Sequence, residues 1–280
     1  MSGGTAGAGP AAALQRLFDV QGRVVLVTGA ASGLGLAIAR VMAECGAVVV
    51  AADRDEARLG AAAAGLAAAG RAEPAVADVA DAAAVTALAD GVVARHGRLD
   101  VVFANAGIAR GPGPGDPGGQ ADTFSMADWH ALLDVNLHGV VHTVRAAAGH
   151  MKRQRGGSII ATASTAGLRD DPLVSYSYVV AKAGVVNFVR QAAIDLARWQ
   201  IRVNAIAPGP FRTSIGGPGP LPPEAEARWS AMVPLGRMGE PAEIGGVALL
   251  LASGAGSFIT GAVYPVDGGQ LLQGPGLGPA

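Results

Sequence analysis

Residues 24–35 read Val24-Val25-Leu26-Val27-Thr28-Gly29-Ala30-Ala31-Ser32-Gly33-Leu34-Gly35, and this order decides the fold. A short apolar run leads into a glycine-studded turn, and a helical pattern follows over residues 34–46. The apolar run is what a strand buried on both faces requires. Gly29, Gly33 and Gly35 let the backbone turn tightly and approach a ligand closely. The helix behind them presents free N–H groups and partial positive charge at its start. A Gly-x-x-x-Gly-x-Gly string in this setting, with Ser32 and Leu34 inside it, is read as a cradle for the pyrophosphate of a dinucleotide. The alternative is a tight strand-to-helix turn with no ligand.

The rest of the chain repeats the alternation. Strands are expected over residues 47–52, 72–77, 99–104, 158–163, 201–207 and 262–266. Helices are expected over 55–69, from a cap at Asp81 to about 96, and over 126–155, 175–199 and 240–251, with a short one over 223–232. Strands alternating with helices predict right-handed βαβ units and a parallel sheet, hence a single-domain, doubly wound α/β fold. Segments 110–120 and 208–223 are rich in Gly and Pro and are expected as loops. Residues 14–273 are read as the domain, with Gly/Ala-rich and Gly/Pro-rich tails at 1–13 and 274–280.

Composition narrows the function class. Of 280 residues, 50% are hydrophobic and 15% charged, which favours a globule with a substantial core. A net charge of −1 gives no electrostatic case for nucleic acid or an anionic membrane. Cys45 is the single cysteine, so a disulfide framework and a multi-cysteine metal site are excluded. No apolar run reaches a membrane span, and residues 1–10 lack the basic start and apolar core of a signal peptide. The expected address is the cytoplasm. His138 and His142 stand four apart on a helix, but no third ligand accompanies them and no metal site is expected.

The ends of the early strands carry polar or small residues, where open α/β sheets bind ligands. Asp53 ends the second strand, 18 residues after Gly35, and is placed to accept hydrogen bonds from the adenosine ribose. A carboxylate there repels a 2′-phosphate and favours NAD over NADP; Arg54, next to it, is the opposing signal. Asp78 and Val79 end the third strand and are expected near the adenine. Asn105, Ala106 and Gly107 end the fourth, and Asn105 is read either as a cofactor contact or as a tie between strand ends.

Tyr178 and Lys182 lie four apart on the helix expected over residues 175–199. At that spacing two side chains share a helix face with Cβ atoms about 5–6 Å apart. A tyrosine of ordinary pKa, about 10, is a poor base at neutral pH. A nearby ammonium favours the phenolate, so the pair is a sensible proton-transfer device.

Taken in order, Thr28-Gly29-x-x-x-Gly33-x-Gly35, Asn105-Ala106-Gly107, Asn136, Ser164, Tyr178-x-x-x-Lys182 and Pro208-Gly209 resemble the short-chain dehydrogenase/reductase family over roughly residues 20–270. The resemblance extends to Gly236-Arg237-Met238-Gly239-Glu240-Pro241 and Asp267-Gly268-Gly269. It implies a seven-stranded parallel sheet in the order 3-2-1-4-5-6-7, a homotetramer, and hydride transfer between an alcohol carbon and a nicotinamide. It implies Tyr178 as general acid/base, Ser164 orienting the reacting oxygen, and Lys182 lowering the tyrosine pKa while holding the nicotinamide ribose. Asn136 would hold a water that links Lys182 to solvent. Pro208, Gly209, Phe211 and Thr213 would contact the nicotinamide half, with Thr213 on the carboxamide. The Ser164-to-Tyr178 spacing is one residue longer than the family pattern. Thr165 keeps that pattern and is the alternative, while the strand-end alignment favours Ser164 and assigns the extra residue to the 169–177 loop.

The expected activity is an NAD(H)-dependent interconversion of a secondary alcohol and a ketone. An NADP(H)-dependent biosynthetic ketoreductase and a non-catalytic dinucleotide-binding regulator are the competing readings. Ala109, Ala166, Leu168, Tyr176, Pro210, Phe211, Trp229 and Met232 are expected to shape a mostly apolar pocket for a neutral substrate. The 110–120 insertion is expected at the pocket rim or an oligomer edge.

Overall fold

Valine-rich runs and alanine-rich helices sort into three layers. The computed structural model describes residues 9–215, 217, 219 and 221–272. Seven strands form one parallel sheet: β1 (Val24–Thr28), β2 (Val48–Asp53), β3 (Arg71–Val76), β4 (Val101–Ala104), β5 (Gly157–Thr162), β6 (Ile201–Pro208) and β7 (Val263–Val266). Their order across the sheet is β3-β2-β1-β4-β5-β6-β7. The helices are α1 (Pro10–Phe18), α2 (Gly33–Glu44), α3 (Glu56–Ala69), α4 (Ala82–His96), α5 (Met126–Leu133), α6 (Gly139–Gln154), α7 (Tyr176–Leu196), α8 (Pro223–Ser230) and α9 (Gly245–Ala252).

Alternate strand residues feed opposite layers, as the two-residue period of a strand requires. Val24 and Leu26 of β1 join Val102 and Ile159 under α4, α6 and α7. Val25 and Val27 join Phe103 and Ile160 under α2, α3 and α9. All five β1 residues are buried, which is why the strand reads as a continuous apolar run. Pro74 is tolerated because β3 is an edge strand, paired with β2 alone. The chain runs outward from β1 to β3, then crosses back to β4 on the other side of β1. The strand order therefore reverses between β1 and β4, and their carboxyl ends open a crevice.

Local chemistry places the helix ends. The Asp81 side chain accepts the Ala83 and Ala84 N–H groups at 2.8 and 3.2 Å, and Asp55 accepts that of Arg58 at 3.0 Å. Gly97 closes α4 in the left-handed conformation, at φ 76°.

Two expectations need correction. Residues 10–13 are not tail but the start of α1. Pro10 at the first helical position has the right φ in advance, and the Ala, Leu, Gln and Arg that follow are strong helix formers. The expected tails at 1–8 and 274–280 lie outside the described residues. The helix expected over 126–155 is not continuous, because a π-helical turn, Asp134–His138, separates α5 from α6. Such turns have no hydrophobic signature, and they gather at functional sites. Among the described residues no helix is long and apolar enough to cross a membrane.

Candidate active site

The carboxyl ends of the strands enclose a cleft of about 1300 Å³. Gly29, Ser32, Gly33, Leu34 and Gly35 form its floor at the start of α2; Asp53 ends β2 and Arg54 follows it, and Asp78 and Val79 lie after β3. Asn105, Ala106 and Gly107 line it after β4, Ser164 after β5, Tyr178 and Lys182 from α7, and Pro208, Gly209, Phe211 and Thr213 from the end of β6 and beyond. The cleft thus gathers these residues from seven separate segments. Asn136 stands behind the wall, fully buried.

The glycine floor is a close-approach surface. A Cβ on Gly35 would lie 2.0 Å from the Gly29 carbonyl oxygen, and one on Gly29 would lie 2.7 Å from Ala106 Cα. Gly29 and Gly33 sit at φ 67° and 55°, where a side chain is strained. Ser32 is the N-cap of α2, but its hydroxyl does not cap the helix. The first-turn N–H groups, without a side-chain cap, suit an anionic pyrophosphate. Asp53 Oδ2 accepts the Ala31 N–H at 3.1 Å and Oδ1 that of Asp55 at 3.0 Å, so backbone donors aim its carboxylate. These residues fit a dinucleotide.

Several partners were not legible in advance. Thr28 Oγ1 accepts the N–H groups of Asn105 and Ala106 at 3.0 and 3.2 Å and donates to the Phe103 carbonyl at 3.3 Å. Asn105 Nδ2 donates to the Thr28 and Gly29 carbonyls at 3.0 and 3.4 Å, and its Oδ1 accepts from the Thr162 hydroxyl at 3.0 Å. Its side chain performs the expected tie between strand ends, and the residue also lines the cleft. Thr28→Val keeps the shape but leaves two half-buried N–H groups without their acceptor. It is expected to lower the unfolding free energy by about 2–4 kcal/mol in urea titration; a loss under about 0.5 kcal/mol would make the hydroxyl dispensable.

Asn136 accepts the Ile108 N–H and donates to the Ile108 carbonyl, both at 2.8 Å. Its amide therefore locks the loop after β4 to the π-helical turn. Lys182 is 2% exposed, and its Nζ donates to the Thr162 carbonyl at 2.7 Å while standing 5.7 Å from the centre of the Tyr178 ring. Burial brings the Lys182 ammonium down to about 8. The expected lowering of the Tyr178 pKa by Lys182 is not met, because desolvation pushes the phenol above its ordinary value. Ser164 faces the phenol and acts to lower it, while the Asp171 carboxylate acts to raise it.

The pocket expectation also needs revision. Ala109, Ala166, Pro210, Phe211 and Trp229 line the cleft, but Leu168, Tyr176 and Met232 do not. Tyr176 packs against Phe124, 5.5 Å between ring centres. Asp171, Leu173 and Ile215 take part instead, so the pocket holds a carboxylate. Its hydropathy context carries no signal, since only tertiary packing turns it inward. His138 pairs with Asp134 at 3.0 Å, and His142 Nδ1 meets the Val79 carbonyl at 3.0 Å. Arg54 lies 3.7 Å from Asp78, both exposed, a weak pair at the cleft mouth.

A family model described as enoyl-(acyl carrier protein) reductase matches residues 29–270. The chain belongs to the short-chain dehydrogenase/reductase family. Within the family it is 40% identical over 247 residues to the cis-4-hydroxycyclohexanecarboxylate dehydrogenase of Sinomonas cyclohexanicum, covering 88% of this chain and 96% of that one. It is 36% identical over 256 residues to the 3-oxoacyl-(acyl-carrier-protein) reductase FabG of Thermotoga maritima, covering 90% and 99%. Among solved structures, the gluconate 5-dehydrogenase of Burkholderia cenocepacia J2315 in complex with NADP and tartrate matches with a TM-score of 0.84 at 36% identity, covering 94% and 100%. An NAD+-bound xylitol dehydrogenase matches with a TM-score of 0.81 at 32% identity, covering 89% and 99%. The chain is therefore an oxidoreductase of this family that works with a nicotinamide dinucleotide.

Proposed function

We propose that the protein is an NAD(H)-dependent dehydrogenase/reductase that interconverts a secondary alcohol and a ketone, with Tyr178 as general acid/base. The observation that carries the reading is one cleft with the glycine floor and Asp53 at one end and Ser164, Tyr178 and Lys182 at the other. When bound, the dinucleotide supplies the acceptor or donor of the hydride. In oxidation Tyr178, as phenolate, takes the hydroxyl proton; in reduction, as phenol, it gives one to the carbonyl oxygen. Ser164 donates a hydrogen bond to that oxygen and holds it beside the phenol. Lys182 holds positive charge below the reacting groups and binds the nicotinamide ribose, Thr213 meets the carboxamide, and Asn136 keeps the wall behind Gly107 in place. The same reading includes a homotetramer in the cytoplasm.

The choice of NAD rests on Asp53. Its carboxylate faces the cleft and suits a ribose diol, whereas a 2′-phosphate there would meet like charge. Arg40, Arg54 and Arg58 also line the mouth, and with the NADP-bound gluconate 5-dehydrogenase neighbour they favour the second reading, an NADP(H)-dependent ketoreductase. Side-by-side kinetics on a panel of secondary alcohols, read at the absorbance of the reduced cofactor, decide between them. The expected kcat/KM with NAD exceeds that with NADP by about two orders of magnitude, as several kcal/mol of like-charge repulsion implies. Equal values, or a preference for NADP, would transfer the function to the second reading.

A further inference from the structure

Asp171 is a carboxylate inside the cleft that the proton-transfer chemistry above does not use. It is 7% exposed, yet it lines the same cleft as Tyr178 and lies near enough for its charge to disfavour the phenolate. One oxygen, Oδ1, accepts the Leu173 N–H at 3.0 Å, which fixes the side chain within its turn. The turn is braced from behind. A Cβ on Gly113 would lie 2.3 Å from the Pro172 carbonyl oxygen and 2.9 Å from the Leu173 carbonyl carbon, and one on Gly119 would lie 2.0 Å from the Gly113 oxygen. The backbone of the 110–120 insertion is thus pressed directly onto residues 172–173. Two loops distant in sequence combine to hold one acidic side chain at the pocket.

We propose that Asp171 is a specificity-determining residue that accepts a hydrogen bond from a second hydroxyl of the substrate, so that the preferred alcohol is a diol or polyol rather than a monoalcohol. The proposal rests on the dehydrogenase reading. A carboxylate accepts hydrogen bonds and donates none, so the substrate group facing it must be a donor. Oδ1 is held by Leu173, and further lone pairs are left for a ligand. The charged groups around it favour a neutral donor over an ammonium. Burial raises the Asp171 carboxyl; the Leu173 N–H and Arg169 oppose that and Asp170 adds to it, while Lys182 stands beside the Tyr178 ring, so a cationic substrate would meet positive charge from Arg169 and Lys182. A substrate carboxylate or phosphate would meet Asp171 itself.

The test uses the full-length protein and matched pairs that differ by one hydroxyl: 2-butanol with 2,3-butanediol, and cyclohexanol with 1,2-cyclohexanediol. These are assayed with NAD and NADP for wild type, Asp171→Asn and Asp171→Leu. The wild type is expected to prefer the diol in kcat/KM by about 10- to 100-fold, the range of a hydrogen bond to a charged group. Asp171→Leu is expected to bring that ratio to about 1, mainly by loss on the diol. Asp171→Asn retains an acceptor for Leu173 and guards against a failure of folding. It is expected to give an intermediate ratio. A readout independent of turnover is the thermal midpoint, which excess diol raises in the wild type and not in Asp171→Leu. Equal kcat/KM for the wild-type pairs, or a diol preference that survives both substitutions, overturns the assignment while leaving the dehydrogenase reading intact. A wild type that oxidises neither member of either pair with either dinucleotide overturns the secondary-alcohol reading, and this inference with it.

Discussion

Tyr178→Phe is expected to lower kcat by about three orders of magnitude while leaving the dissociation constant for the reduced cofactor within about threefold, within the range by which positioned acid–base groups contribute. Phenylalanine preserves the ring that packs in α7 and beside Lys182, and only the hydroxyl goes. In the proposed arrangement the cofactor is held by the glycine floor, Asp53, Lys182 and Thr213, all unchanged in this variant, so fluorescence titration should register little change. If turnover persists at the wild-type level, Tyr178 does not transfer the proton and the mechanism is wrong.

The same experiment run against pH tests the electrostatics. Burial holds the phenol above its ordinary value, with Ser164 opposing and Asp171 reinforcing the effect. In the proposed mechanism reduction uses the phenol and should run at full rate at neutral pH. Oxidation uses the phenolate, so its rate should rise with pH as Tyr178 loses its proton. Lys182 contributes in stability as well. Its folded value, about 8, lies below the ordinary 10.5, so between these the unfolded chain binds the extra proton and unfolding free energy rises with pH. The raised Tyr178 acts in the opposite direction once an unfolded tyrosine begins to ionise near pH 10.0.

Gly35→Ala is expected to weaken dinucleotide binding by at least about a hundredfold and to destabilise the fold by about 3 kcal/mol or more. The new Cβ would stand 2.0 Å from the Gly29 carbonyl oxygen and 2.5 Å from Asn105 Nδ2. Neither neighbour is the free end of a flexible side chain. Gly29 is backbone at φ 67°, and Asn105 is tied to Thr28, Gly29 and Thr162. Relief therefore requires the whole turn to move, and the turn is the proposed pyrophosphate floor. Thermal unfolding and cofactor titration measure the two effects separately. Wild-type affinity in a stable Gly35→Ala protein would mean that the close approach is not part of the cofactor site.

What the sequence by itself determined is the frame and the order of its parts. The run Val24–Thr28, the glycines at 29, 33 and 35, and apolar segments alternating with helical ones require a parallel sheet with its binding edge after the strands. They do so because burial on both faces, φ above zero and helix N-termini are local demands that residue type alone meets. Asp53 at its strand end and the Tyr178–Lys182 spacing were legible for the same reason, whereas Ser164 was reached through the family resemblance. The tertiary structure decided what each polar group does once there. It committed the Asn105 side chain to tying strand ends and Asn136 to the Ile108 backbone, and it opened a π-helical turn where the pattern reads as plain helix. Desolvation raised the Tyr178 pKa where a neighbouring ammonium alone would lower it. Packing of the 110–120 insertion on residues 172–173 braced the turn that holds Asp171 in a pocket read as apolar. Burial, hydrogen-bond pairing and electrostatic neighbours arise between segments distant in the chain, and no local pattern of residues encodes them.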